Sequence, residues 1–390
     1  MQVEKKSFVV ILGLIFLVSA LLVPVPYFFF STDQKNTKGS TYLDKKEKSV
    51  RGKLLLDDQY YKSLLRAIRD AQKSIRIITY VFQLDHFHQK RGTPVYNLAK
   101  TLKYKAKEGV NVDLILSSSQ SRKDLVKVNQ KAANILAEAG INTKLKLTPQ
   151  DEQIHGKVVL IDNHKLFISN HNWTNAGLSE NSEVAIYLQG TAIREEASRR
   201  INYKFESLFS DIHNYKTKSK KQHHPQKSTV KLSDEELNEF KPEKDLKEIQ
   251  RFDFFLGTSM KDPIINLINQ ATGSIKMGMF YIMPKDTSKV RDIIDVLVDK
   301  AQSGVTVKIG VDHESDGLIS YLRRKNVSAR KYKSNKTQHI KAITVDSKYV
   351  FIGSHNLTLP ALVGKNWESG VIFKSRPIAK RLNSYLEAQK

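Results

Sequence analysis

Residues 154–188 read IHGKVVLIDNHKLFISNHNWTNAGLSENSEVAIYL, and residues 338–373 read QHIKAITVDSKYVFIGSHNLTLPALVGKNWESGVIF. The same polar residues recur in the same order. His155 and Lys157 match His339 and Lys341, Asp162 and Asp346 each stand five positions past the lysine, Asn172 matches Asn356, and Glu183 matches Glu368. Between them run β-branched and aromatic residues of the kind that fill buried strands. Strand side chains alternate faces, so each histidine and the lysine two positions on point together, while Gly156 or Ile340 points away. One chain therefore carries two equivalent polar faces.

Outward from these segments the self-similarity continues. LLRAIRDAQKSIRIITYVF from Leu64 aligns with IINLINQATGSIKMGMFYI from Ile264, so that Ala71 falls on Ala271 and Ser74-Ile75 on Ser274-Ile275. AKEGVNVDLIL from Ala106 aligns with AQSGVTVKIGV from Ala301, with Gly109 and Gly304 where a left-handed residue would end a helix. Amphipathic helices alternating with apolar strands imply an α/β fold, mostly parallel in its sheet, with helices on the faces. The first repeat is expected over residues 50–213, a basic linker over 214–247 and the second repeat over 248–390. Lys216 to Lys231 holds six lysines, two histidines and a proline with no acid, which reads as a solvated linker. Ser233 with Glu236 then reads as a capping box.

Charge chemistry assigns these residues work. A neutral imidazole can attack a phosphodiester phosphorus while a second, protonated one delivers a proton to the departing oxygen. Lys157, Lys341, Asn172 and Asn356 offer donors to the non-bridging oxygens, and Glu183 and Glu368 are suited to hold the far ring nitrogens. The scheme uses no cofactor or metal, and activity is expected to survive a chelator.

The two segments resemble the HxKxxxxD motif of the phospholipase D superfamily, the second with the downstream Gly-Ser-x-Asn as Gly353-Ser354-His355-Asn356. The resemblance runs from about Val50 to the C-terminus. It implies two tandem α/β/α repeats packed about a pseudo-twofold axis, and a phosphohistidine on one histidine with the other as acid and then base. It makes Asp162 and Asp346 mainly structural partners, and Gly353 and Ser354 contacts for the substrate phosphate. The first copy departs from the pattern: Ser169-Asn170 stands in place of Gly-Ser, so Asn170 is the substitute donor there. Two motifs in one chain make a monomer sufficient for a complete site, with no protein partner required.

Among other residues, His86, His88 and His313 follow strands and are candidates for substrate contact, for a metal, or for polar loop positions. His164, His213, His223 and His224 read as solvated. Trp173 and Trp367 lie near the motifs, where they would stack on a substrate or shield the site.

The 390 residues carry 64 Lys+Arg against 40 Asp+Glu, a formal charge of +24, which draws the chain toward phosphates on lipid surfaces or nucleic acid. With no cysteine, thiolate catalysis and Cys-based metal sites are excluded. Residues 8–30, FVVILGLIFLVSALLVPVPYFFF, are 23 uncharged residues, long enough for an N-terminal transmembrane helix. The expectation is a membrane anchor or signal segment over residues 1–31, with a cut after Ala20 as the secreted alternative and the side of the membrane open. Three function classes follow: a hydrolase of phospholipid headgroup diesters, a membrane-anchored nuclease of the same mechanism, or a catalytically weak, membrane-tethered anion-binding module.

Overall fold

The computed structural model describes residues 49–84, 92–119, 121–149, 152–210, 240–284, 289–314 and 317–389. The apolar segment at residues 8–30, His86, His88, His213, His223, His224 and the expected linker and capping box from Lys216 to Glu236 lie outside them. Among the described residues no helix is long and apolar enough to cross a membrane.

The first repeat contributes β1 (Val50–Leu56), β2 (Ser74–Thr79), β3 (Asn111–Ser119), β4 (Asn142–Thr148), β5 (Val158–Ile161), β6 (Lys165–Ser169) and β7 (Val184–Gln189). The second contributes β8 (Lys247–Leu256), β9 (Ser274–Ile282), β10 (Thr306–Glu314), β11 (Ser328–Lys331), β12 (Lys341–Val345), β13 (Tyr349–Gly353) and β14 (Ser369–Lys374). They form one sheet of 14 strands in the order β11-β10-β9-β12-β13-β14-β8-β1-β7-β6-β5-β2-β3-β4. Read from the β8–β1 junction, each side gives the same sequence of equivalent strands, so an antiparallel pair, Val50 opposite Ile249, lies at the pseudo-twofold.

The expectation of a mostly parallel sheet is corrected. Parallel pairing is confined to β2, β3 and β4 and to β9, β10 and β11, the strands separated by helices. Parallel neighbours need a crossover, whereas β5–β6 and β12–β13 are joined by short turns and must run antiparallel. At those turns Asp162 and Asn163, like Asp346 and Ser347, adopt positive φ between 49° and 57°. Asp and Asn tolerate that region better than most residues. The Asp346 carboxylate also accepts the backbone amides of Thr272, Gly273 and Ser274 at 2.8–3.0 Å, and Asp162 does the same for Gln72, Lys73 and Ser74. Each motif aspartate thus pins the start of β9 or β2 to its own hairpin.

Helices Asp58–Arg69 and Pro94–Lys107, with Lys123–Ala137, cover the outer part of the first repeat, and Lys261–Asn269 and Lys289–Gln302 cover the second. On the opposite face helices Ser198–Ser210 and Arg376–Ala388 close a third core drawn from both repeats, including Leu54, Ile186, Ile352, Val371 and Leu382. β7 shows why its sequence is continuously apolar: Val184, Ile186 and Leu188 face this shared core while Ala185 and Tyr187 face the outer one. Each fully buried aliphatic side chain contributes about 1.5–3 kcal/mol, so the common layer ties the halves firmly together.

Candidate active site

The two motifs meet where the halves meet. His155 precedes β5 and His339 precedes β12, both in short extended segments that cross to the other repeat: Ile154 bridges Trp367, and Ser182 bridges Gln338. The crossing decides the partners. His155 Nδ1 lies 2.9 Å from Oε2 of Glu368, and His339 Nδ1 lies 2.8 Å from Oε2 of Glu183, so each histidine is held by the glutamate of the opposite repeat. All four side chains are buried. Lys157 and Lys341 are also buried, and each Nζ donates to the carbonyl of its own motif histidine, at 2.6 and 2.9 Å. Tyr80 and Phe280 lie beneath these pairs. Their rings meet His155 and His339 edge-on at 4.9 and 4.6 Å, and the lysine ammonium groups stand 5.3 and 4.8 Å from the same rings.

The halves differ in how they hold this arrangement. In the second repeat two hydroxyls act in series: Ser354 Oγ accepts the Ser369 amide at 2.9 Å and donates to the Glu368 carboxylate, while Ser369 Oγ accepts the Lys157 amide at 3.1 Å. In the first repeat Val184 replaces Ser369, and one amide does both jobs. Asn170 Oδ1 accepts the Lys341 amide at 3.0 Å and the Val184 amide at 3.3 Å, and its Nδ2 donates to the Gly353 carbonyl. This corrects the expectation that Asn170 donates to substrate, since it is fully buried with its amide bonded to backbone. Ser354 is equally buried, its hydroxyl on Glu368 rather than open to a ligand. Gly353 is a packing position, because a Cβ there would meet the Ser369 carbonyl at 2.8 Å.

The two carboxylates are also unlike in their electrostatics. Burial would raise Glu368, but the charge and hydrogen bond of His155 outweigh it and hold it down at about 2. Glu183 receives no hydroxyl; burial pushes it up to about 8 against the pull of Lys341. Burial lowers both histidines, helped at His339 by Lys341 and Lys157 and opposed at His155 by Glu368. Burial also brings Lys157 down to about 8, and Lys341 well below its ordinary value.

The remaining candidates separate cleanly. Asn172 and Asn356 are half-buried, and their side-chain oxygens have no partner among the described residues. Asp162 and Asp346 lie at the far hairpin turns described above and touch none of the six central side chains. Trp173 is fully buried against Phe82, its indole nitrogen 3.3 Å from the Tyr60 hydroxyl, so it does not stack on a ligand. Trp367 instead braces the motif: its carbonyl accepts the amides of His155 and Gly156, both at 2.8 Å. His164 is bonded to the Asp162 carbonyl, and His313 is half-exposed beside Phe280 and Tyr281. Among the described residues no group of three or more potential ligands could hold a metal.

Sequence reasoning missed Tyr80 and Phe280, although both stand sixteen positions into the matching stretches from Leu64 and Ile264. It also missed Ser369, for which Val184 at the equivalent place left no signal, and the flanking histidines. His171 packs at a tilt against Tyr60, ring centres 4.3 Å apart, with burial lowering it to about 3, and His355 is buried with burial lowering it to about 4.

A profile of the family described as "Cardiolipin synthase, PLD-like domain" matches residues 64–209 and 264–390. The chain belongs to this family of the phospholipase D superfamily. Membership places it among enzymes of phosphodiesterase and phosphoryl-transfer type, and both matched blocks contain one complete motif. Among solved structures, the phosphatidylserine synthase of Haemophilus influenzae Rd KW20 superposes with a TM-score of 0.61 at 14% identity, covering 87% of each chain. The polyphosphate kinase of Porphyromonas gingivalis superposes with a TM-score of 0.54 at 15% identity, covering 86% of this chain and 46% of the kinase. This family member thus shares a fold with both, and spans under half of the kinase. No curated protein matches its sequence.

Proposed function

We propose that the protein cleaves the headgroup phosphodiester of phospholipids, with His155 as nucleophile and His339 as proton donor. The observation that supports the assignment of roles is the unequal hydrogen bonding of the two glutamates: Glu368 takes the Ser354 hydroxyl as well as His155, whereas Glu183 takes His339 and the Asn181 amide. His155 donates Nδ1–H to an ionised Glu368, which leaves Nε2 with a free lone pair for phosphorus. A bond forms between Nε2 and phosphorus as the bond from phosphorus to the headgroup oxygen breaks, and that oxygen takes the proton held by the His339–Glu183 pair. Lys157 and Lys341, with Asn172 and Asn356, stabilise the equatorial oxygens. Water then attacks the phosphohistidine and returns its proton to His339; an alcohol in place of water would make the same cycle a headgroup exchange. The family match supports lipid over nucleic acid, and the apolar segment at residues 8–30 would hold the site at the bilayer as an anchor.

The test places the full chain in detergent with phospholipid vesicles and single-stranded DNA in one EDTA-containing mixture, with glycerol as a competing alcohol and His155→Asn as blank. Headgroup release or exchange without strand cleavage is the expected result. Strand cleavage alone would overturn the lipid assignment in favour of a nuclease. Rapid quenching should trap phosphate on the wild-type chain and on His339→Asn, but none on His155→Asn; the reverse would exchange the two roles.

A further inference from the structure

Comparing the repeats position by position exposes a surface feature that only the second one carries. In the first, Arg76 on β2 is opposite Asp113 on β3, and it also pairs with Glu206 of the helix Ser198–Ser210 at 2.9 Å. Its guanidinium lies 5.3 Å from the Phe205 ring. Lys144 on β4, opposite Ile115, completes the set, so two cations there face two carboxylates. The equivalent residues of the second repeat are Lys276 on β9, Lys308 opposite it on β10, and Glu387 of the helix Arg376–Ala388, with Leu386 where Phe205 stands. Arg330 on β11, opposite Gly310, joins them. Three cations there face one carboxylate, with Lys276 and Lys308 at 2.8 and 3.3 Å from the same Glu387 oxygen. The exchange of Asp113 for Lys308 and of Phe205 for Leu386 replaces a closed, balanced surface with an open, positive one.

The open surface is a pocket of about 330 Å³ lined by Lys276, Lys308, Gly310, Arg330, Leu386 and Glu387. Its base is fixed from below. A Cβ on Gly310 would lie 2.3 Å from the Tyr332 hydroxyl, so the phenol packs directly on the glycine backbone. Arg330 is held in place by donating Nη2 to the Glu387 carbonyl at 3.2 Å and to its neighbours at the helix end. Lys276 shares the β9 face with Phe280, four residues away or about 13 Å, so the pocket is separate from the paired histidines.

We propose that this pocket is a second anion site, which takes the phosphate monoester group of a lipid headgroup or free inorganic phosphate. Its surplus of two positive charges matches a monoester, which carries nearly two negative charges at neutral pH, better than a diester with one. A bound phosphate displaces Glu387 from the two lysines, and the ammonium groups donate to its oxygens. The site does not depend on which diester the paired histidines cleave.

The test uses the full chain with three substitutions. Lys308→Asp installs the residue that the first repeat already holds, Glu387→Gln removes the competing carboxylate, and Lys127→Asp makes the same charge change on an exposed position of a distant helix. Phosphate binding is followed by calorimetry, and vesicle binding by flotation with phosphatidylcholine containing phosphatidic acid or an equal charge of phosphatidylglycerol. Lys308→Asp should weaken binding about tenfold or more, Glu387→Gln should tighten it several-fold, and Lys127→Asp should leave it within about twofold. Turnover of a soluble chromogenic diester should be unchanged in all three. Equal losses in Lys308→Asp and Lys127→Asp, or none in Lys308→Asp, would overturn the site. Preference for phosphatidic acid over phosphatidylglycerol identifies the lipid source; binding of inorganic phosphate without that preference identifies the free ion.

Discussion

Gly156 separates the first histidine from its lysine, and adding a single methyl group there should reach the histidine. A Cβ at this position would lie 2.3 Å from Cζ3 and 2.6 Å from Cε3 of Trp367, where carbon contacts need about 3.5 Å or more. The ring has to yield by at least about 1 Å. It cannot retreat, because a Cβ on Gly257 would lie 2.5 Å from the indole Cδ1, which places that backbone close against the ring. The Trp367 backbone is fixed as well, its amide bonded to the Gln153 carbonyl and its carbonyl to the amides of His155 and Gly156, all at 2.8 Å. The displacement therefore falls on His155. Overpacking of this kind costs about 1–3 kcal/mol in stability, and a shift of about 1 Å in a reacting group costs about a hundredfold in rate. Gly156→Ala should show both, in a thermal melt and in kcat on a soluble diester. With Trp367→Ser, which copies Ser182 of the first repeat, the obstacle is gone and the added methyl should have little further effect. Wild-type kcat in Gly156→Ala, or the same losses in the Trp367→Ser background, would refute the reasoning.

The other expectations concern the asymmetry of the halves. Glu183 has its folded-state pKa raised to about 8, so it keeps its proton in the folded protein and loses it in the unfolded chain. Its contribution favours folding at low pH and decays as pH rises; the lowered His339 opposes this below its ordinary 6.5, leaving a net loss between about 6.5 and 8. Melting temperatures of Glu183→Gln should lack that loss, while Glu368→Gln, which removes an ionised carboxylate, should lower kcat far more than Glu183→Gln does. Asn170→Ser should strand one of two buried amides at a cost of about 1–3 kcal/mol. Adding Val184→Ser, the pairing that Ser354 and Ser369 provide opposite, should recover much of it in urea denaturation.

The repeat was legible because each polar residue had a counterpart at matching spacing, so His155, Lys157, His339, Lys341 and both glutamates could be named before any fold was known. Which glutamate serves which histidine was not legible. His155 and Glu368 are 213 positions apart, and local spacing carries no information about a bond across the pseudo-twofold. The helix and strand order pointed to parallel pairing, but β1, β5, β6 and β7 take their partners from hairpins and from the sheet junction, where the alternation of elements is silent. Asn170 was misread for a related reason: a polar residue replacing a hydroxyl in a motif looks like a substitute donor to the ligand. Its true partners are backbone groups of Lys341, Val184 and Gly353, brought together only by the folded chain.

The crossed carboxylates change what a portable part of this protein is. Each hydrogen-bonded unit is a diagonal, histidine and lysine from one repeat with glutamate from the other, so neither half carries a complete unit of its own. Grafting one motif into another scaffold, or exchanging one half with a relative, would bring a histidine together with a carboxylate tuned for a different partner. The effects of substitution follow the same diagonals: a change at Ser354 is felt through Glu368 at His155, and a change at Asn170 is felt at Lys341. Substitutions should accordingly track one another across the two repeats more closely than within either.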